Sequence, residues 1–562
     1  MNLKKEIAGK IEGECFDDAK TLDAYSRDAS FLEVKPRLVV FPKNRADLQA
    51  LVRFVNENRV NDPTLSITMR AAGSCMSGGS LNESIIADVS KHFGGILGFE
   101  DMHTTGGGGG TNGLTGGSVR VLPGTFYRDL EPKTLEKDLI LPCFTASKNL
   151  CALGGMIANN SAGEKTLRYG RMEDFVQELR VIFSDGNEYL VKPLTRRELD
   201  TKMLQGDFEG NLYKNIFELI VQNQEKILTA KPHVSKNSAG YYLWNVWDEH
   251  AGIFDLTKLI VGSQGTLGIV TEAKIRLVPV EKYSKLFLVF MRDLKNLGNL
   301  VEEILPLKPE TVESYDDSTM KLAIRFLPEM LKTMKTSSFF KSMFSFIPEV
   351  LMMLTGGIPK LIVLVEFSGN DEKQIVDKMK ELRAKIAHFK FKMRESKSMS
   401  ESEKYWTIRR ESFNLLFKHV RGMRTAPFID DVVVRPEFLP EFLPKMRAIL
   451  DRHKLVYTIA GHAGNGNFHI IPLMDMTKKE NHDLIPVVSE EIFDLVKSYD
   501  GSFTGEHNDG IIRTPYLEKM FGTEIVALFA RTKDIFDPRN IFNPGKKVGG
   551  TVDYMMAHLA NK

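Results

Sequence analysis

A chain of 562 residues exceeds what one hydrophobic core holds; at about 150 residues per domain it divides into three or four units, or two or three if a large sheet domain is present. Apolar residues make up 43% and charged residues 26%, the composition of an ordinary soluble protein. Lys plus Arg number 75 against 73 Asp plus Glu, a net charge of +2, which with no Lys/Arg-rich run argues against a nucleic-acid partner.

The N-terminal stretch "MNLKKEIAGKIEGEC" has no apolar core of the kind a signal peptide carries. The four cysteines, Cys15, Cys75, Cys143 and Cys151, are too few for a disulfide scaffold and wrongly spaced for zinc or iron–sulfur ligation. A reducing, cytoplasmic location is the expectation. "RLVVFPKNRADLQALVRFVNENRV" (37–60) predicts a strand, a turn and a helix capped by Asn44, with Leu48, Leu51, Val52 and Val55 on one face. "LSITMRAAGSCMSGGSLNESIIADVS" (65–90) predicts strand, Gly/Ser loop, strand. The segment "TTGGGGGTNGLTGG" (104–117) holds a formal G-x-G-x-x-G, but a strand follows where a dinucleotide site needs a helix. Its glycines predict a flexible hairpin connection. "GSVRVLPGTFYRDLEPKTLEKD" reads as strand, turn and helix, and "DFVQELRVIFSDGNEYLV" as a hairpin turning at Asp185-Gly186.

From about residue 281 the pattern changes. "KLFLVFMRDLKNLGNLVEEIL", "KLIVLVEFSGNDEKQIVDKMKELRAKIA" and "DDVVVRPEFLPEFLPKMRAIL" each read as a strand followed by a helix, an α+β plan with a modest antiparallel sheet. The Phe- and Met-rich segment 331–361 carries Lys332, Lys335 and Lys341 and is broken by Pro348. It reads either as a buried helix pair or as a patch that lies in a membrane interface, and no run is long enough to span a bilayer. The tail "KDIFDPRNIFNPGKK" (533–547) reads as loop.

In the loop "RAAGSCMSGGS" (70–80), Gly73, Gly78 and Gly79 can take positive φ and let backbone amides converge on an anion, with Ser74, Ser77 and Ser80 as further donors. It is followed by "PCFTASKNLCALGGMIANNSAGEKTLRYG" (142–170), "KNSAGYYL" (236–243) and "VGSQGTLGIVTEAKIRLVP" (261–279). In this order the segments resemble the flavin-binding domain of the vanillyl-alcohol-oxidase superfamily. The resemblance is closest to the branch that holds glycolate oxidase, D-lactate dehydrogenase and D-2-hydroxyglutarate dehydrogenase, and runs from Pro42 to Lys546.

The resemblance implies an α+β fold: a two-subdomain PCMH-type FAD-binding domain over 1–280 and an α+β substrate (cap) domain with an antiparallel sheet over 281–515. A C-terminal segment, 516–562, would return to the FAD domain. It further implies FAD held by Arg70, Ala72, Gly73, Ser74, Cys75, Met76, Ser77, Gly78 and Gly79. Pro142, Gly154, Gly155, Asn159, Ser161, Gly163, Gly265, Gly268, Ile269 and Asn543 would complete the cofactor site. Some relatives tether FAD through His or Cys. The 70–80 loop has no His, Cys75 would face phosphates, and Cys151 does not match the tethered pattern, so non-covalent FAD is expected.

"GHAGNGNFH" (461–469) lies between two apparent strands, so His462 and His469 would meet at one end of a hairpin and want a third metal partner. "SFTGEHNDG" supplies Glu506 and His507 on an expected extended segment, facing opposite ways. Two histidines and a carboxylate suit a divalent ion with open positions. The resemblance places His462, His469 and Glu506 on the metal ligands of metal-dependent relatives, with zinc, manganese or iron as candidates, and His507 on the active-site base. "KYWTIRRESF" matches a W-x-x-R element, implying Arg409 as the carboxylate clamp and Arg410 as a second substrate contact or a surface ion pair. Phe413 stands where hydroxyglutarate enzymes carry threonine, and Ile471 and Asn465 also depart from many relatives.

The expected reaction is therefore dehydrogenation of a small D-2-hydroxy acid, D-lactate favoured, with electrons passing to a quinone or carrier protein. D-2-hydroxyglutarate or glycolate are alternatives, as are a non-redox flavin transferase like alkylglycerone-phosphate synthase and a non-catalytic assembly partner. Peripheral contact with the cytoplasmic face of a membrane, and a homodimer, are left open.

Overall fold

The computed structural model describes residues 2–101, 116–325, 357–396, 398, 401–410 and 422–560. The expected glycine connection at 104–117 and the expected interface insert at 331–361 fall largely outside these residues, as does Phe413. Among the described residues no helix is long and apolar enough to cross a membrane.

The first sheet runs in the order Glu14–Phe16, Leu38–Phe41, Ile85–Asp88, Ile67–Arg70. Its last three strands are parallel, which requires crossovers between them. One crossover contains the helix Arg45–Asn58, where the Asn44 side chain accepts from the Asp47 amide and Leu48, Leu51, Val52 and Val55 are buried. Ile67–Arg70 and Ile85–Asp88 are also parallel, so the Gly/Ser loop between them travels back along the sheet. It is not a tight turn.

The second sheet is antiparallel, in the order Ile96–Asp101, Gly117–Val121, Ile269–Pro279, Val176–Ile182, Glu188–Val191. The last pair turns at Gly186, whose φ of +79° only glycine adopts without strain. The two sheets form two subdomains packed side by side. Their cores meet where Ile182 and Ile269 pack with Leu38 and Ile85 of the first sheet.

The third large sheet is antiparallel. Its path is Lys392–Glu395, Tyr283–Met291, Leu361–Gly369, Thr311–Asp316, Val456–His462, Asn467–Met474, Arg424–Thr425, with Val432–Val433 also pairing to Asn467–Met474. Alternation along Tyr283–Met291 explains its two covered faces. Phe287, Val289 and Met291 pack with the helices Leu297–Ile304 and Glu372–Ile386, whereas Leu286, Leu288 and Phe290 pack with Tyr405, Trp406 and Ile408 of helical residues 401–410.

Two local expectations are corrected. Residues 533–536 are helical, the end of Thr523–Phe536, because Phe536 is buried and Lys533 Nζ finds Asp537, the Thr266 carbonyl and the Phe542 carbonyl. Residues 503–507 bend and are not extended, for a reason found in the site.

Candidate functional site

The hairpin pairs Val456–His462 with Asn467–Met474 in a register that sets His462 opposite Asn467 and Ala460 opposite His469. With a side-chain period of two, His462 and His469 share a face. Their ring centroids are 5.3 Å apart. The turn is a single 3-10 loop, Ala463–Asn465, closed by Gly466 at φ +67°. It is packed, not floppy: a Cβ on Gly466 would fall 1.7 Å from the Val434 carbonyl. Asn465 donates from Nδ2 to Ser235 Oγ at 3.0 Å, a bond that an Asp carboxylate there could not donate.

Thr311–Asp316 runs antiparallel beside the hairpin, with Ser314 opposite Gly461. The neighbouring residue, Glu313, meets His462 Nδ1 through Oε1, while Oε2 lies 3.2 Å from Arg409 Nε. His462 Nε2 is 2.9 Å from Glu506 Oε1. His469 stacks on His507 at 5.2 Å between centroids. Donor atoms of His462, His469 and Glu506 all lie within 4.8 Å of one another, and so do those of Asp430, His469 and His507.

Asp431, itself at φ +71°, explains why Glu506 and His507 serve one site. Its Oδ2 accepts from the amides of Glu506 and His507, each at 2.8 Å, and from Thr504 Oγ1 at 2.7 Å. Three donors on one buried oxygen bend the segment and aim both side chains at the hairpin. Alternation along an extended chain would have separated them.

The electrostatics follow from this crowding of buried charge. Burial works to raise the Glu506 carboxyl, yet Lys236 and His462 hold it well below the usual range. Glu313 is lowered against burial by His462 and Arg409, and Asp430 by His469 and His507. Burial pushes His507 down, but Asp431 and Asp430 carry it up to about 9. Arg410 turns to Glu164 and lies over the Trp406 ring.

The segments read as cofactor-binding converge on the same place. Ser77 Oγ donates to the His507 carbonyl at 3.0 Å. Asn543 Nδ2 donates to the Gly79 and Gln264 carbonyls, Gln264 Nε2 to Asn159 Oδ1, and Asn508 Nδ2 to the Asn159 carbonyl. Gly73 and Gly78 adopt positive φ. Nothing lies within 4 Å of a Cβ built on Gly155, and only Met69 Cβ at 4.0 Å meets one on Gly265. Arg70 Nη1 is buried without a hydrogen bond. Open space beside two glycines and an unspent guanidinium donor fit a large anionic cofactor such as FAD. Gly154, Gly163 and Gly268 instead abut Pro123, Phe144 and Val181, and Ile269 is core. The Cys75 and Cys151 thiols are raised by burial.

Glu313, Asp430, Asp431 and Lys236 were not singled out by sequence reasoning. The acid pair in "FIDDVVV" was a usable signal, since two carboxylates beside an apolar strand need buried partners. Glu313 and Lys236 gave none, because their partners are 149 and 270 residues away.

Residues 36–190 match the family description "FAD binding domain", and 280–547 match "FAD linked oxidases, C-terminal domain". The chain is 27% identical over 532 residues to D-2-hydroxyglutarate dehydrogenase of Escherichia coli, covering 93% of this chain but 49% of that protein. It thus spans about half the length of such relatives. It is 25% identical over 552 residues to glycolate oxidase subunit GlcD of Bacillus subtilis, covering 97% of this chain and 96% of that one. Among solved structures, 4-ethylphenol oxidase from Gulosibacter chungangensis superposes with a TM-score of 0.68 at 15% identity, covering 98% of both chains. With a FAD-binding domain matched at 36–190 and this C-terminal domain at 280–547, which together cover most of the chain, the chain belongs to the FAD-linked oxidases.

Proposed function

We propose that the chain oxidises a small D-2-hydroxy acid to the 2-oxo acid, with D-lactate favoured over D-2-hydroxyglutarate because Phe413 replaces a threonine of the hydroxyglutarate enzymes. The observation that carries this reading is the His462, His469 and Glu506 donor set, largely buried, with His469 stacked on His507, whose carbonyl is hydrogen-bonded by the Gly/Ser loop. Bound FAD supplies a two-electron acceptor for the hydrogen on the carbinol carbon, and a zinc, manganese or iron ion at the donor set supplies Lewis acidity toward the hydroxyl.

The chain's own residues do the rest. Arg409, steadied by Glu313, binds the substrate carboxylate. His507 takes the hydroxyl proton. Asp431 and Asp430 raise its affinity for that proton, and a cation held at the neighbouring donor set would lower it. The buried, raised thiols of Cys75 and Cys151 favour non-covalent FAD. The four cysteines are separate free thiols, so no iron–sulfur relay is built from them; a quinone, a carrier protein or oxygen is left as the acceptor, with a quinone the first choice. Anaerobic mixing with a panel of D- and L-2-hydroxy acids, with and without chelator, tests the reading. Bleaching of the flavin by D-isomers, lost with chelator, is expected; bleaching by none of the panel would overturn it.

A further inference from the structure

Lys236 is 0% exposed, and its ammonium contacts Glu506 Oε1 and, at 3.3 Å, the Gly163 carbonyl. That carboxylate oxygen is the one 2.9 Å from His462 Nε2. A cation is thus already seated on an atom of the donor set. We propose that Lys236 is a resident counter-cation of this centre, competing with the divalent ion for Glu506 and thereby setting how tightly the ion is held. The inference rests on the metal reading of His462, His469 and Glu506.

Three observations support it. A buried lysine–carboxylate pair is seldom worth more to stability than an apolar pair of similar size, so stability alone is a poor reason for this one. The carboxylates beside Lys236 also have cations of their own: Arg409 Nε lies 3.2 Å from Glu313 Oε2, and Lys236 Nζ itself contacts Glu506 Oε1. A dication added beside Lys236 therefore brings surplus positive charge into a water-poor site, and repulsion weakens its hold.

The backbone of Lys236, finally, has little freedom to withdraw. Ser235 exchanges two 3.0 Å hydrogen bonds with Asn465 of the hairpin turn, and Ser238 Oγ accepts from the Asn508 amide at 3.0 Å. Tied on both sides to the elements that carry the ligands, the ammonium competes for Glu506 and does not leave. Its contact with Gly163 also joins the ion's carboxylate to the flavin-side stretch 142–163.

The test uses the full-length, flavin-loaded protein, stripped with chelator and titrated calorimetrically with manganese alone. Lys236→Met is expected to bind at least about tenfold more tightly than wild type, and the charge-keeping Lys236→Arg within about threefold of it. Glu506→Gln should weaken binding in both the wild-type and Lys236→Met backgrounds, placing the ion at the same carboxylate. Equal or weaker binding by Lys236→Met overturns the proposal while leaving the metal reading intact. Absence of binding in every protein overturns both. If Lys236→Met does not accumulate with flavin, Lys236→Gln, which keeps a hydrogen bond and loses the charge, carries the same expectation.

Discussion

Asp430 Oδ1 lies 3.2 Å from His469 Nδ1, and its other oxygen lies 3.1 Å from His507 Nδ1. One fully buried carboxylate therefore faces both imidazoles. A carboxylate accepts only, so it favours a proton on each Nδ1 and leaves each Nε2 for an ion or a substrate proton. Asp430→Asn keeps the shape but can present its NH2 to one ring and turn that ring's tautomer. The variant is expected to bind manganese about 10–100-fold more weakly and to lose kcat/KM by a similar factor, with flavin content unchanged. Calorimetry and steady-state kinetics check this; wild-type metal affinity in Asp430→Asn would show that the carboxylate does not orient His469.

How much of this was legible in sequence depends on range. The His462–His469 pairing was readable because both residues lie on one hairpin, whose period and turn glycines fix their face locally. The Arg45–Asn58 helix and its Asn44 cap were readable for the same reason. Glu313 was not, since only the antiparallel placement of Thr311–Asp316 beside the hairpin sets it against His462, and strand order is a tertiary property. The shape of 503–507 was misread because a long-range acceptor, Asp431, overrides local alternation. Gly268 and Gly154 were expected at the cofactor, yet they answer to close packing against Val181 and Pro123.

Arg409 offers a test of substrate binding. Its Nε lies 3.2 Å from Glu313 Oε2 and its side chain is 12% exposed, so the guanidinium is held in one orientation. Lysine keeps the charge and loses the planar fork that reads a carboxylate. Arg409→Lys is expected to raise KM for the 2-hydroxy acid about tenfold or more, roughly 1.4 kcal/mol, without loss of FAD. An unchanged KM would remove Arg409 from the substrate site.

Gly466 tests the shaped turn. Its φ of +67° disfavours any side chain, and a Cβ would sit 1.7 Å from the Val434 carbonyl, a contact that only backbone movement relieves. Gly466→Ala is expected to destabilise by about 2 kcal/mol or more in urea unfolding. Gly206→Ala is the control for φ alone: at φ +71° it has nothing within 4 Å, so its cost is expected to be about 1 kcal/mol. Equal losses in the two variants would mean that packing against Val434 contributes nothing.

Glu366, on the strand Leu361–Gly369 of the third sheet, gives a pH signature away from the donor set. Burial, and then the charge of Glu310, push its carboxyl up to about 7; Lys165, 2.6 Å from Glu310, offsets this only in part. Below pH 4.5, its ordinary value, the group is neutral whether the chain is folded or not, and it costs nothing. Between that value and about 7 the unfolded chain ionises first, so folding stability falls as pH rises through this window and levels off above it. Because the side chain keeps some contact with solvent, the loss is discounted to about 1–2 kcal/mol. Glu366→Gln still accepts from Ser284 Oγ and carries no charge, so it is expected to flatten that part of the slope. Urea unfolding of the flavin-loaded protein at pH 5 and pH 8 measures the difference directly. An identical slope in wild type and Glu366→Gln would mean that this carboxylate ionises in the folded protein as it does in water.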